Sequence, residues 1–181
     1  MQNLSEKKGR IDELGRAFAG SQLQIQIYVN RREEELSQKI IKGLPSLSSL
    51  DPYIHWVSPL EKDHFIEFQD TSFLKVCGFE EFSDELKRFW PRGGPVWDAL
   101  ATVEFKEDIN KRGVILVEAK SHPAEIYGGG MRATAKESKE KIEKALNRTK
   151  KWLGVFSDSD WTGPLYQSAN RMAHLCFFRE I

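Results

Sequence analysis

The chain is poor in the features that announce a specialised class. Among its 181 residues there are only two cysteines, Cys77 and Cys176, with no paired spacing, which excludes a disulfide framework and fits a reduced, cytoplasmic setting. Glycine and proline number 13 and 7, too few for a collagen-like or low-complexity chain. No apolar run reaches the roughly 18 residues of a membrane span, and the opening MQNLSEKKGRIDELG lacks the apolar centre of a signal peptide. Charge of one sign is also missing: 27 basic residues face 27 acidic ones, so binding to nucleic acid by bulk positive charge is excluded. There is no G-x-x-x-x-G-K-[ST] loop and no G-x-S-x-G elbow. His55, His64, His122, His174 and the two cysteines lack zinc-ligand spacing.

What remains is a 40% hydrophobic chain long enough to bury a core, with a readable order of elements. Residues 22–29, QLQIQIYV, alternate with period two and predict a half-buried strand with Leu23, Ile25, Ile27 and Val29 on one face. Asn30 with Glu33 predicts a helix start and Gly43 its end, with Leu36, Ile40 and Ile41 turned inward. Residues 54–57 predict a short strand, so 1–57 reads as an accessory strand–helix–strand segment. Ser58-Pro59-Leu60-Glu61 has the form of a capping box, predicting a helix to about Cys77 that stops at Gly78. A shorter helix is expected near 83–89, followed by an irregular Pro91, Gly93, Gly94, Pro95 turn.

Residues 96–105 and 114–120 are the best strand candidates, joined through the polar EDINKRG as a hairpin. The second is apolar on both faces until Glu118, as in a central strand covered on both sides. Beyond it lie the Gly128-Gly129-Gly130 loop, expected to be mobile, and a Thr134 and Glu137 capping box opening a helix that ends near Leu153 and Gly154. A last helix is predicted from about Gly163-Pro164 to near Ile181. On it Gln167, Asn170, Arg171 and His174 form a polar side read as solvated. Leu165, Ala169, Met172, Leu175 and Phe178 form the apolar one.

The chemistry concentrates on the hairpin. Glu118 and Lys120 share a strand face while Ala119 points away. Opposed residues of an antiparallel hairpin have a constant number sum, and the midpoints of Asp98 with Glu118 and with Lys120, 108 and 109, both fall in the expected turn. Parity agrees, so the three side chains converge unless a bulge intervenes. Two carboxylates and an ammonium on one sheet face are costly unless paired or used. Oxygen donors so placed suit a hard cation such as Mg²⁺ beside a phosphate, with Lys120 at the attacking water. Cross-strand ion pairing on a surface hairpin is the plainer alternative.

Asp98, then Glu118-Ala119-Lys120 at the end of an apolar strand, within GGPVWDALA and VILVEAKSH, resembles the PD-(D/E)XK nuclease superfamily and is similar to its uncharacterised bacterial members. Pro95 stands three residues before Asp98, whereas the family's proline normally adjoins the aspartate. The resemblance covers residues 58–153 and extends to the last helix. It implies an α/β restriction-endonuclease-like fold, a mixed central sheet with a core antiparallel hairpin flanked by helices. No segment supplies that fold's last strand, so the 58–181 core reads as truncated at its C-terminus. The resemblance further implies Asp98, Glu118 and the Ala119 carbonyl as ligands of Mg²⁺, with Mn²⁺ as a substitute, and Lys120 as the catalytic lysine. Glu67 is the candidate acidic residue of the first core helix, ahead of Asp63 and Glu61. The implied activity is metal-dependent hydrolysis of DNA phosphodiester bonds, leaving 5′-phosphate and 3′-hydroxyl ends, with a homodimer able to cut both strands. Arg92, Arg132, Gln167 and Arg171 are the candidate DNA contacts, and the helix over 134–153 is rich in lysine. A non-catalytic nucleic-acid-binding or protein-interaction module that keeps this fold is the competing expectation.

Overall fold

The protein is represented by a computed structural model that describes residues 11–106 and 108–181. In chain order these form α1 (Gly20–Arg31), α2 (Glu33–Gly43), a single turn α3 (Pro45–Ser48) and β1 (Pro52–Ser58). Then come α4 (Asp70–Val76), α5 (Ser83–Phe89), β2 (Ala99–Phe105), β3 (Asp108–Val117), α6 (Lys136–Trp152) and α7 (Tyr166–Glu180). The chain is therefore a mixed α/β protein with one three-stranded sheet, in the order β1-β2-β3. Both pairings are antiparallel, so the sheet is not mixed in direction. The described residues fall into two compact units, one over residues 11–68 and 97–121, the other over Gln69–Val96 and His122–Ile181. The strand expected within the 1–57 segment is thus β1 of the same sheet as the hairpin.

In the first unit, α1 replaces the predicted strand over 22–29. A short apolar run fits period two and a helix about equally well, and burial decides: Ile25, Gln26 and Val29 are inside, at helical spacing, while Ile27 faces out. Ile25 and Val29 pack on Ile54 and Trp56 of β1 and on Ala99, Ala101, Val103 and Phe105, the odd-numbered face of β2. Leu36, Ile40 and Ile41 of α2 join this core as expected, although α2 begins after Arg32. Asn30 does not cap it. Its amide donates to Gln26 O (2.8 Å) and Pro59 O (2.7 Å), and its oxygen accepts from Glu61 N–H (2.7 Å). The buried Gln26 side chain accepts from Ala17 N–H (2.8 Å) and donates to Gly15 O (2.9 Å), tying the segment before α1 to the helix. Gln26→Ala is expected to lose about 2 kcal/mol in urea denaturation by leaving a buried N–H without a partner.

No α-helix follows Ser58 directly, only a 3₁₀ turn over Glu61–Asp63. His64 and Phe65 adopt left-handed conformations (φ 53° and 54°), and Glu61, cast as a cap, instead forms ion pairs with Arg31 (2.5 Å) and Arg16 (3.5 Å). The helix expected to run from there to Cys77 shrinks to α4, although it does stop at Gly78 (φ 75°). Strand β2 starts at Ala99, three residues later than predicted, and β3 covers most of the expected turn before ending at Val117. Among the described strands β2 is central and β3 lies at the edge, reversing the expectation; Val114, Ile115, Leu116 and Val117 are accordingly only half-buried.

In the second unit α5 spans the predicted Ser83–Phe89. Helix α6 begins at Lys136 behind Ala135, without the Thr134 cap, and the chain turns at Gly154 (φ 67°) as expected. The glycine loop is tied down rather than loose: Gly128 N–H donates to Pro164 O and Met131 N–H to Thr162 O, both at 2.8 Å. A Cβ at Gly130 would stand 2.8 Å from Thr162 O, which is why that approach requires glycine. Helix α7 is rotated from its expected orientation. Its buried side is Ala169, Asn170, Ala173, His174, Cys176 and Phe177, while Leu165, Met172 and Leu175 are exposed. The polar residues Asn170 and His174 have partners inside: His174 Nδ1–H donates to the Asn170 backbone carbonyl (2.8 Å), which fixes the tautomer, and Asn170 Oδ1 accepts from Arg171 (2.6 Å).

Candidate active site

The hairpin register keeps the sum that the sequence arithmetic requires, although a register shift does intervene near the turn, at Phe105↔Asp108. Partners run from Glu104↔Arg112 to Ala99↔Val117 on a constant sum, one step short of Asp98 and Glu118. Past the end of the ladder Asp98 N–H still donates to Val117 O (3.1 Å), and its Oδ2 accepts from Ala119 N–H (2.7 Å). The side chain of Asp98 is thereby held against the Glu118-Ala119-Lys120 segment. Lys120 Nζ pairs with Glu118 Oε1, both side chains being about four-fifths buried.

A second pairing brings in Glu67. Phe68 and Trp97 form an isolated antiparallel bridge, with Trp97 N–H donating to Phe68 O at 3.0 Å. The residues flanking that bridge, Glu67 and Asp98, are carried alongside one another, and the Glu67 charge is felt at Asp98. Glu67 lies on an extended connection and not on the expected helix; its Oε1 accepts from Gln22 Nε2 of α1 (2.8 Å). Gln22 escaped the sequence reading because its segment was assigned to a strand. Of the rivals, Asp63 is exposed and Glu61 is engaged by arginines.

The electrostatics follow from this crowding. Burial is the largest influence on Asp98 and, with the neighbouring Glu118 and Glu67 charges, pushes its carboxyl up to about 6, against the opposing pull of the Ala119 N–H and Lys120. A carboxylate raised by burial and by like charge, in line with a lysine, is a site candidate on physical grounds. Among the described residues no three His, Cys, Asp or Glu side chains are placed to hold a metal ion. A cation here would rest on Asp98, Glu118 and backbone oxygen.

The candidate contacts with nucleic acid all belong to the second unit. Arg92 and Arg132 are exposed and Gln167 is half-buried. Arg171 is committed within the fold, donating to Val96 O (3.0 Å) and to Asn170 Oδ1 (2.6 Å).

Fold and site together define a mixed α/β protein whose antiparallel hairpin ends in an Asp, Glu and Lys cluster. No family model, curated protein or solved structure matches the chain.

Proposed function

We propose that the protein is a metal-dependent nuclease that hydrolyses DNA phosphodiester bonds at Asp98, Glu118 and Lys120. The observation that supports this most is the Asp98 carboxyl, buried beside two like charges and raised to about 6, a crowding that a divalent cation relieves. The donor set is all oxygen, which fits Mg²⁺, or Mn²⁺ in its place, and not zinc. Asp98, Glu118 and the Ala119 carbonyl would hold such an ion, which would supply polarisation of a phosphate oxygen and acidification of a water. The chain's own groups do the rest. The Ala119 N–H fixes the Asp98 carboxylate, and Glu118 holds Lys120 within the cluster. Lys120, at the same cluster, would orient the attacking water or take its proton. Exposed Arg92, Arg132 and the lysines of α6 are the cations available to the DNA backbone.

The second reading is a non-catalytic binding module. It draws on the Lys120–Glu118 ion pair, which satisfies both groups without substrate, and on the lack of a three-side-chain metal cluster among the described residues. Supercoiled plasmid incubated with Mg²⁺, Mn²⁺ or EDTA, beside Lys120→Ala, separates the two. Nicking that needs metal and falls roughly a hundredfold or more in a folded Lys120→Ala is the result expected of the nuclease. Binding that persists in EDTA without any cleavage is the result expected of the module.

A further inference from the structure

The second unit holds an open cavity of about 610 Å³, within the size range of small-ligand sites. Its lining is two-sided in character. Leu86, Trp90 and Pro91 supply an apolar wall, whereas Lys87, Arg92 and Lys141 supply three cations. The one carboxylate in the wall, Asp70, is already spent. Its Oδ1 accepts from Gly93 N–H (3.0 Å) and Gly94 N–H (2.9 Å), and Oδ2 shares the Gly93 hydrogen at 3.2 Å. Asp70 reaches them from a left-handed backbone conformation (φ 48°), a strained state for a non-glycine residue, and so pins the 91–95 turn in place. A Cβ at Gly94 would stand 3.3 Å from Asp70 Oδ1 and 3.2 Å from the Trp90 ring, so a side chain there would crowd this wall.

The cations differ in how far they are used. Lys141 Nζ donates one hydrogen to Lys87 O (2.9 Å) and keeps two; Lys87 pairs with exposed Asp84 (2.7 Å). Arg92 has no ion pair or hydrogen bond among the described residues. Trp90 is 4% exposed, and its Nε1–H, beside Gly94 on the cavity wall, has no hydrogen-bond acceptor among the described residues. A cavity that offers unspent guanidinium and ammonium donors next to an apolar wall of Leu86, Trp90 and Pro91 and an indole N–H calls for a ligand with an anionic head and a planar body that carries acceptors.

We propose that this cavity binds a nucleoside monophosphate unit, the phosphate against Arg92, Lys87 and Lys141 and the base along Pro91, Trp90 and Leu86. The phosphate monoester and base are shared by a free nucleotide and by the 5′-phosphorylated end of a strand. The site shares Arg92 and Lys141 with the DNA contacts proposed above, but none of its residues belongs to the Asp98 cluster, so its binding test does not depend on cleavage.

Calorimetric titrations of the full chain in EDTA, where metal-dependent cleavage is silent, test it. Deoxyadenosine 5′-monophosphate is expected to bind at least tenfold more tightly than deoxyadenosine or inorganic phosphate. Arg92→Glu and Lys87→Glu, both at exposed positions, are each expected to weaken it tenfold or more while leaving the circular dichroism spectrum unchanged. A 5′-phosphorylated tetranucleotide that binds more tightly than the mononucleotide assigns the site to strand ends, and equal binding assigns it to free nucleotides; either upholds the site. Overturning results are the absence of saturable binding, inorganic phosphate binding as tightly as the nucleotide, a 5′-hydroxyl tetranucleotide equalling the phosphorylated one, or affinity unchanged in both variants.

Discussion

Asp98→Asn is expected to abolish metal-dependent nicking, by a hundredfold or more, and at the same time to make the protein more resistant to urea. The two effects have one origin. Asparagine keeps an oxygen to accept the Ala119 N–H but carries no charge for a cation, so the activity side follows from losing a ligand. The stability side follows from the direction of the Asp98 titration. The folded chain holds this proton up to about pH 6, whereas the unfolded chain releases it near the ordinary value of 3.8. Ionising Asp98 therefore weighs against the folded state, and the burden grows as pH rises from about 4 to 6 and is complete above that. Fully buried, it would amount to about 3 kcal/mol; allowing for partial exposure, about 2 kcal/mol is expected. Urea midpoints in EDTA at pH 7.5 and pH 4 check the prediction: the variant gains at the higher pH and loses its advantage at the lower. A variant no more stable than the parent at pH 7.5 would sink the account of the crowded carboxylate.

Acid sensitivity of the second unit is the other large effect. His174 is wholly buried against Phe73, Phe89 and Trp90, with ring centroids 5.0 to 6.2 Å away. Burial pulls its pKa down to about 4; nearby Arg171 adds to this, while the Asn170 carbonyl and Asp70 oppose it. At pH 7 the imidazole is neutral whether the chain is folded or not, so it contributes nothing there. Between pH 6.5 and about 4 the unfolded chain takes up a proton that the folded one refuses, and stability falls with pH by about 3 kcal/mol in all. His174→Gln removes this slope while other groups keep theirs. The difference between parent and variant in urea stability should therefore narrow steadily from pH 7 to pH 4. A constant difference would mean that His174 does not titrate in this way.

The legible parts of the chain were those where one physical signal acted alone. The hairpin register could be computed from parity and a constant sum because the ladder holds one sum from Glu104↔Arg112 to Ala99↔Val117, the shift at Phe105↔Asp108 being confined to the end nearest the turn. Helix ends at Gly78 and Gly154 were legible because only glycine reaches their left-handed conformations cheaply. The illegible parts were decided by partners distant in sequence. Residues 22–29 became a helix because the sheet needed Ile25 and Val29 on one side and Gln26 had two backbone groups to satisfy. The buried polar side of α7 carried no local signal, since His174 meets the Asn170 backbone carbonyl, and Asn170 Oδ1 the Arg171 guanidinium, only once the chain has folded. At the candidate site the Asp98, Glu118 and Lys120 cluster was foreseeable, and Glu67 was named. The bridge from Phe68 to Trp97 that delivers Glu67 was not. Proposing Mg²⁺ and DNA still rests on the chemistry of these donors and on the resemblance of their motif.

The two cysteines make the second unit a clock. Cys77 and Cys176 are both buried there, the Cys77 thiol is pushed up to about 12 by burial, and the first unit has no cysteine. A thiol reagent can therefore react only when the second unit opens, and its rate reports that opening alone. An unmodified chain thus carries its own reporter of which half gives way first. If urea unfolds the first unit ahead of the second, loss of β-sheet signal precedes labelling; if the chain opens as one, the two coincide.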